Sequence, residues 1–184
     1  HVLLTLERAG HEAYIVGGCV RDMLMENRPH DWDVTTSALP QETMALFGHS
    51  AIPTGLRHGT VTVRSGELAC EVTTFRTDGD YTDHRHPAAV AFTRSLREDL
   101  ARRDLTVNAM AMDVRGMLHD PFGGQADIHR RVLRCVGSPD RRFSEDALRI
   151  LRVLRFSATL GGFSVEENTR CALLSRREDL RYVA

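Results

Sequence analysis

The stretch from Tyr14 to Thr36, YIVGGCVRDMLMENRPHDWDVTT, decides how this chain is read. Tyr14-Ile15-Val16 is a short apolar run of the kind that forms a buried strand. It stops at Gly17-Gly18, and a helical pattern follows from about Cys19 to Met25. Two glycines therefore stand where a strand hands over to a helix. Without Cβ atoms, the backbone there can approach a phosphate closely, and the first N–H groups of the helix point at it. Arg21 falls in that first turn and adds a charged fork for the same anion. Asp31-Trp32-Asp33 then leads into Val34-Thr35-Thr36. On a strand, residues i and i+2 face the same way. Asp31 and Asp33 are expected to project together as catalytic carboxylates and to hold one or two Mg²⁺ ions beside the phosphate turn. A GG turn alone, or a DxD pair alone, is common in ordinary loops. The order strand, GG turn, arginine helix, DxD strand is what makes the combination specific.

The rest of the composition narrows the classes. A chain of 184 residues is one domain, or one domain and a piece of another. Hydrophobic content of 42% is ordinary for a globular chain. No apolar run approaches the roughly 20 residues of a membrane span, and the opening residues lack a signal-peptide pattern. The chain starts at His1 rather than Met and stops within a helical-looking RREDLRYVA, so trimming at both ends is expected. Cys19, Cys70, Cys135 and Cys171 are widely spaced with no CxxC pair, which argues against a zinc ribbon or a disulfide scaffold and fits a cytoplasmic protein. All 24 basic residues are arginine. With no lysine there is no Walker-type phosphate lysine and no Schiff base. Any phosphate must be held by arginine, backbone N–H and metal. Residues 141–184 carry nine Arg against six acids, a weak basic bias toward RNA.

Along the chain, Val2 to Ala9 reads as a helix closed by Gly10, and Pro40 begins another that runs to about Phe47. Ile52 to Gly55 reads as a loop. His58 to Val63 and Leu68 to Phe75 alternate as two strands of a hairpin around Ser65-Gly66. Glu71 on the second strand is a third candidate catalytic carboxylate if that strand pairs beside Asp31 and Asp33. Arg76 to Pro87, with His84 and His86, reads as a mobile polar loop. Leu96 to Met112 has a helical period with a break near Asp104. Leu118-His119 ends a short strand before the Gly123-Gly124 turn, and Val132 to Val136 reads as another strand. From Ser138 onward the pattern is all-helical, with Ser144 as the expected N-cap of SEDALRILRVLRFSATLG. Arg149, Arg152 and Arg155 recur every three residues and share one side of that helix. Leu148, Leu151 and Leu154 are expected on the neighbouring side. Asp146 stands one turn before Arg149. A carboxylate accepts from an amino group and a guanidinium donates to a ring nitrogen, so the pair can read a base edge.

The ordered motifs GGCVRD, DWDVTTSALP, EVTTFR, EDLARRDLTVNAMA, DPFGGQADI and SEDALRILRVLRF resemble the head and neck of the class II tRNA nucleotidyltransferases, the CCA-adding enzymes. Bacterial poly(A) polymerases share this scaffold, and IPTGLRHGTVTV resembles the CCA-adding branch. The resemblance implies an α/β (α+β) nucleotidyltransferase head over residues 1–137, with a mixed, mainly antiparallel sheet and flanking helices. An all-helical neck would begin at 138–184, and the body and tail of the family would lie beyond it. It implies that Gly18 and Arg21 contact a triphosphate, that Asp31 and Asp33 hold Mg²⁺, and that Arg103 of the RRD run binds the incoming nucleotide. Asp146, Arg149, Arg152 and Arg155 match the neck residues of the nucleotide set, with Asp146 and Arg149 reading the base. Gly17, Arg102, Asp104 and Asn108 complete the candidate nucleotide-binding residues. The implied partners are ATP, CTP and the 3′ end of tRNA, with no DNA and no membrane. Rival readings are a poly(A), A-only or CC-only polymerase, a head that binds nucleotide without catalysis, and a metal phosphohydrolase.

Overall fold

The computed structural model describes residues 1–79 and 90–183. Most of the expected polar loop, with His84 and His86, lies outside the described residues.

In chain order the elements are α1 (Val2–Arg8), β1 (Ala13–Val16), α2 (Gly18–Leu24), β2 (Trp32–Thr36), α3 (Pro40–Phe47), β3 (Ala51–Gly55), β4 (Thr60–Ser65) and β5 (Leu68–Thr74). There follow β6 (Arg76–Asp78), β7 (Val90–Phe92), α4 (Leu96–Ala101), β8 (Ala111–Met112), β9 (Leu118–His119), α5 (Gly124–Arg130) and β10 (Val132–Leu133). The last are α6 (Pro139–Glu145), α7 (Leu148–Thr159), β11 (Ser164–Val165) and α8 (Glu167–Ser175). Seven strands form one sheet in the order β3-β4-β5-β2-β1-β8-β9. Only the β2–β5 pairing in it is parallel; the others are antiparallel. The mixed, mainly antiparallel head expected from the motifs is therefore what forms.

The core explains the placement of the helices. Val2 and Leu6 of α1 pack with Val34, Val61, Val63 and Val72 of the sheet. Cys19 and Val20 of α2 pack with Met110, against Trp32. A third cluster joins Leu105, Val107, Leu133 and Cys135 to Phe143, Ile150, Val153 and Phe156 of α6 and α7. The C-terminal helices thus share a core with the segment that carries Asp104 and Asn108. That shared core fixes the height at which the arginines of α7 stand over the β1–α2 turn.

Several expectations are corrected. Ile52 to Gly55 lies in strand β3, and Arg76–Asp78 opens a ribbon with β7 instead of a loop. Leu96 to Met112 is helical only as far as Ala101. Beyond it Asp104, Thr106 and Asn108 are buried polar side chains whose partners include Arg152, Asp127 and Arg21, and the chain continues as a single 3₁₀ turn. The helix α5 went unseen: Asp120 accepts from the N–H groups of Gly124 and Gln125 and starts it. A Cβ at Gly124 would collide with the Thr106 carbonyl, which is why the second glycine of that turn is needed. The segment after Ser138 is not all-helical, because β11 pairs in parallel with β10. It also holds two helices where one was expected. Ser144 sits inside α6 and donates to the Arg141 carbonyl, while the Asp146 carboxylate accepts from Leu148 N–H at the start of α7. The buried face of α7 is Arg149, Ile150, Val153 and Phe156, and Leu151 and Leu154 are exposed.

Candidate active site

A cleft of about 560 Å³ lies between the β1–α2 turn, the start of β2, the residues after α4 and one side of α7. Its wall contains Gly17, Gly18, Arg21, Asp31, Asp33, Arg102, Arg103, Asp104, Asn108, Asp146, Arg149, Arg152 and Arg155. Of the site residues expected from sequence, Glu71 is the exception. It is Cα-paired with Asp33 across the parallel β2–β5 register, as the hairpin reading required, but it is exposed and outside the cleft wall. Among the described residues no three carboxylate, imidazole or thiol side chains form a metal-binding group. Glu71 flanks the aspartate pair without completing a triad.

The phosphate end is built by backbone. Gly17 has φ +82°, which L side chains rarely adopt, and a Cβ there would stand 3.1 Å from Arg103 Nη1 and 3.8 Å from Asp33 Oδ2. The turn thus lies close against Arg103 and in ordinary contact range of Asp33, the second of the two carboxylates. Arg21 is buried on α2. Its Nη1 donates to Asn108 Oδ1 at 2.8 Å and its Nη2 to Asp22 Oδ1 at 2.7 Å, so its head is aimed before any ligand arrives. Burial pushes the Asp33 carboxyl up, Arg103 and Arg152 oppose this, and Asp31 reinforces it. The thiol of Cys19 donates to the Val16 carbonyl and is held up by burial, so it is not a thiolate.

The positive wall rests on buried acids. Asp99, fully buried on α4, accepts from Arg102 Nε at 3.0 Å and lies 3.5 Å from Arg103 Nη2. It also accepts from Thr35 Oγ1 of β2. Burial alone would raise the Asp99 carboxyl, but Arg103 and Arg102 hold it below the usual carboxylate range. Arg103 Nε is buried with no hydrogen-bond partner among the described residues. Arg149 is buried and fixed by Glu145 Oε2 at 2.8 Å and by the carbonyls of Arg142 and Arg102. Asp146 Oδ2 stands 3.9 Å from Arg149 Nε. They belong to two helical segments, not one, because the chain breaks at Asp146.

Sequence reasoning missed four wall residues, Cys19, Asp22, His30 and Phe156, and two supports behind it, Asp99 and Glu145. The supports had a signal: each stands four residues before the arginine it holds. Nothing in the spacing distinguished Phe156 from the apolar residues of α7.

A family model for the poly A polymerase head domain matches residues 13–134. The chain belongs to the poly A polymerase head domain family. It is 50% identical over 183 residues to a CCA-adding enzyme of Oceanobacillus iheyensis, covering 100% of this chain and 45% of that protein. It is 51% identical over the same length to a CCA-adding enzyme of Geobacillus kaustophilus, again covering 45% of the relative. This poly A polymerase head therefore spans less than half the length of the curated relatives it matches. Among solved structures it resembles the Bacillus stearothermophilus CCA-adding enzyme in complex with CTP. The TM-score is 0.84 at 42% identity, over 97% of this chain and 46% of that one. It also resembles a Thermotoga maritima CCA-adding enzyme complexed with tRNA, with a TM-score of 0.77 at 26% identity, over 97% of this chain and 40% of that one.

Proposed function

We propose that this poly A polymerase head serves a template-independent RNA nucleotidyltransferase that adds C and A from CTP and ATP to the 3′ end of tRNA. The observation that carries the reading is the single cleft in which the Gly17-Gly18 turn, the Asp31/Asp33 pair and the α7 arginines converge. The ligands bound in related structures, CTP and tRNA, support it. We read residues 1–137 as the head and 138–184 as the start of a helical neck, supported by the end of the family match at 134. Four free cysteines without a disulfide suit a cytoplasmic setting. No helix among the described residues is long and apolar enough to cross a membrane.

The residues fit a hard divalent cation such as Mg²⁺. Asp31 and Asp33 offer two neighbouring carboxylates in the cleft wall that no arginine ion-pairs among the described residues, and a site of this kind commonly completes its coordination with substrate phosphates. Asp31 and Asp33 would hold it. Bound there, the ion would acidify a coordinated hydroxyl and neutralise charge on phosphate oxygens.

The reaction joins the RNA 3′-oxygen to the α-phosphorus, breaks the α–β phosphoanhydride bond, and releases pyrophosphate and a proton. The chain supplies positioning and charge rather than covalent chemistry. The N–H groups after Gly17 and the guanidinium of Arg21 face the triphosphate, where charge builds on the leaving group. Arg103 and Arg152 add cations to the same wall, with Arg102 beside them. Asp33, whose carboxyl is raised by burial, gains from any cation brought beside it. Asp146 accepts from the exocyclic amino group shared by C and A, and Arg149 donates to the adjacent ring nitrogen. U and G present the reverse pattern and leave both side chains unmatched.

The test is incorporation of each of the four nucleotides by the full-length protein on a tRNA ending at its discriminator base. The reading expects C, then A after CC, and little U or G. Uptake of A alone, in long runs, would move the assignment to a poly(A) polymerase, and no uptake would reject catalysis.

A further inference from the structure

Phe156 is unlike its neighbours on the buried face of α7. It is 6% exposed, packs into the core beside Leu105 and Val153, and yet its ring forms part of the cleft wall. Three guanidinium carbons surround that ring: Arg155 at 4.9 Å, Arg21 at 5.1 Å and Arg152 at 5.4 Å from the centroid. All three lie within the roughly 6 Å at which a cation is drawn to the negative face of an aromatic ring. They arrive from two elements, α2 and α7, and all three line the cleft.

Three like charges gathered on one side of a cleft repel one another. Two have carboxylates to hold them: Arg21 pairs with Asp22, and Arg152 with Asp104. Arg155 has no ion pair among the described residues, and its guanidinium lies against the ring. The ring therefore does something an aliphatic residue of similar volume would not. It lowers the cost of keeping three cations convergent before a polyanion arrives.

We propose that Phe156 is a positioning residue for nucleotide binding, an aromatic seat that pre-assembles Arg21, Arg152 and Arg155 around the phosphates. The inference rests on the reading of the cleft as a nucleoside triphosphate site. Preorganisation of this kind acts on affinity, because the ordering of the arginines is completed before the ligand binds. It acts on CTP and ATP alike, since the ring meets guanidiniums and not bases.

The experiment uses the full-length protein with Phe156 replaced by phenylalanines carrying one, two and three ring fluorines. Each fluorine weakens the ring's attraction for cations while barely changing its volume. Kd for CTP and for ATP is measured by titration, beside Tm. We expect Kd to rise stepwise for both nucleotides, reaching about tenfold in the trifluoro protein, with Tm nearly constant. Phe156→Leu should lie at or beyond the trifluoro value, and Phe156→Trp should recover affinity relative to Phe156→Leu. The rise should shrink in an Arg155→Ala background, because the arginine most dependent on the ring is gone. A flat series with normal wild-type binding overturns the seat and leaves the cleft assignment intact, as does a Kd rise that merely follows Tm. Failure of the wild-type protein to bind either nucleotide overturns both.

Discussion

Asp104 Oδ2 accepts a hydrogen bond of 2.6 Å from Nε of Arg152, a residue 48 positions away on the other wall of the cleft. Asp104 is buried beside the sheet, and Arg152 rises from α7. The bond therefore ties the segment after α4 to the helix that carries the candidate base-reading arginine. Asp104 spends its other oxygen locally, on Leu105 N–H and Asn108 Nδ2, and Asn108 in turn holds Arg21. One carboxylate thus stands behind cations on both walls.

That arrangement predicts coupling. Asp104→Asn and Arg152→Ala should each destabilise the protein, and a double-mutant cycle should give a coupling of about 1–2 kcal/mol, reduced by the partial exposure of Arg152. Denaturant unfolding of the four proteins measures it. Strict additivity would mean that the bond contributes nothing.

The same residue predicts an acid limb. Burial would raise the Asp104 carboxyl, but Arg152 and the local donors hold it below its ordinary value, as Arg103 and Arg102 do for Asp99. A depressed folded pKa gives stability that is complete above the unfolded value, about 3.9, and is lost as pH falls through the folded value. Unfolding free energy should drop steeply below about pH 4, and Asp104→Asn should show a shallower drop from a lower plateau. Parallel limbs for the two proteins would contradict the assignment.

Arg21→Ala should weaken CTP and ATP alike. A charged hydrogen bond of this kind is worth roughly 1.5–3 kcal/mol, so Kd should rise about ten- to a hundredfold for each. Asn108→Ala, which frees Arg21 Nη1 from its acceptor, should produce a smaller rise of the same uniform kind. Titration with both nucleotides checks this, and a loss confined to one base would contradict a phosphate role.

Asp146 carries two roles that substitution can separate. Its Oδ1 caps α7 through Leu148 N–H, and asparagine caps about as well. Asp146→Asn should therefore keep the wild-type Tm. Its amide can donate to O4 of U, so UTP incorporation should rise relative to CTP by about ten- to a hundredfold in the full-length enzyme. Unchanged selectivity would reduce Asp146 to a helix cap.

Much of the cleft was legible because it is built from local signals. A strand ending in Gly17-Gly18 and a DxD at Asp31 and Asp33 each declare their geometry within a few residues. The period of Arg149, Arg152 and Arg155 correctly predicted a shared side. The misses are tertiary. The helical period of Leu96 to Met112 was overridden where Asp104, Thr106 and Asn108 turn inward to partners far along the chain. Ser144 looked like a cap, but α6 had already begun at Pro139, capped by Ser138, and Asp146 took the second start. Glu71 was placed correctly in register, yet the parallel β2–β5 pairing leaves it outside the wall. Phe156 was invisible because the period of α7 marks it as core, and only the fold brings Arg21 to its ring.

The central claim is that Asp31 and Asp33, at the start of β2, support transfer in the cleft that α7 completes. The most direct measurement is single-turnover transfer of labelled CMP to tRNA by full-length wild type, Asp31→Ala and Asp33→Ala, each with Mg²⁺ and with its fold checked by unfolding midpoint. Removing a ligand from a hard-cation site costs the ion and not the core. Both variants should stay folded and lose at least about a thousandfold in transfer rate, on the order of 4 kcal/mol of transition-state stabilisation. A folded Asp33→Ala protein that transfers CMP at near the wild-type rate would contradict the account.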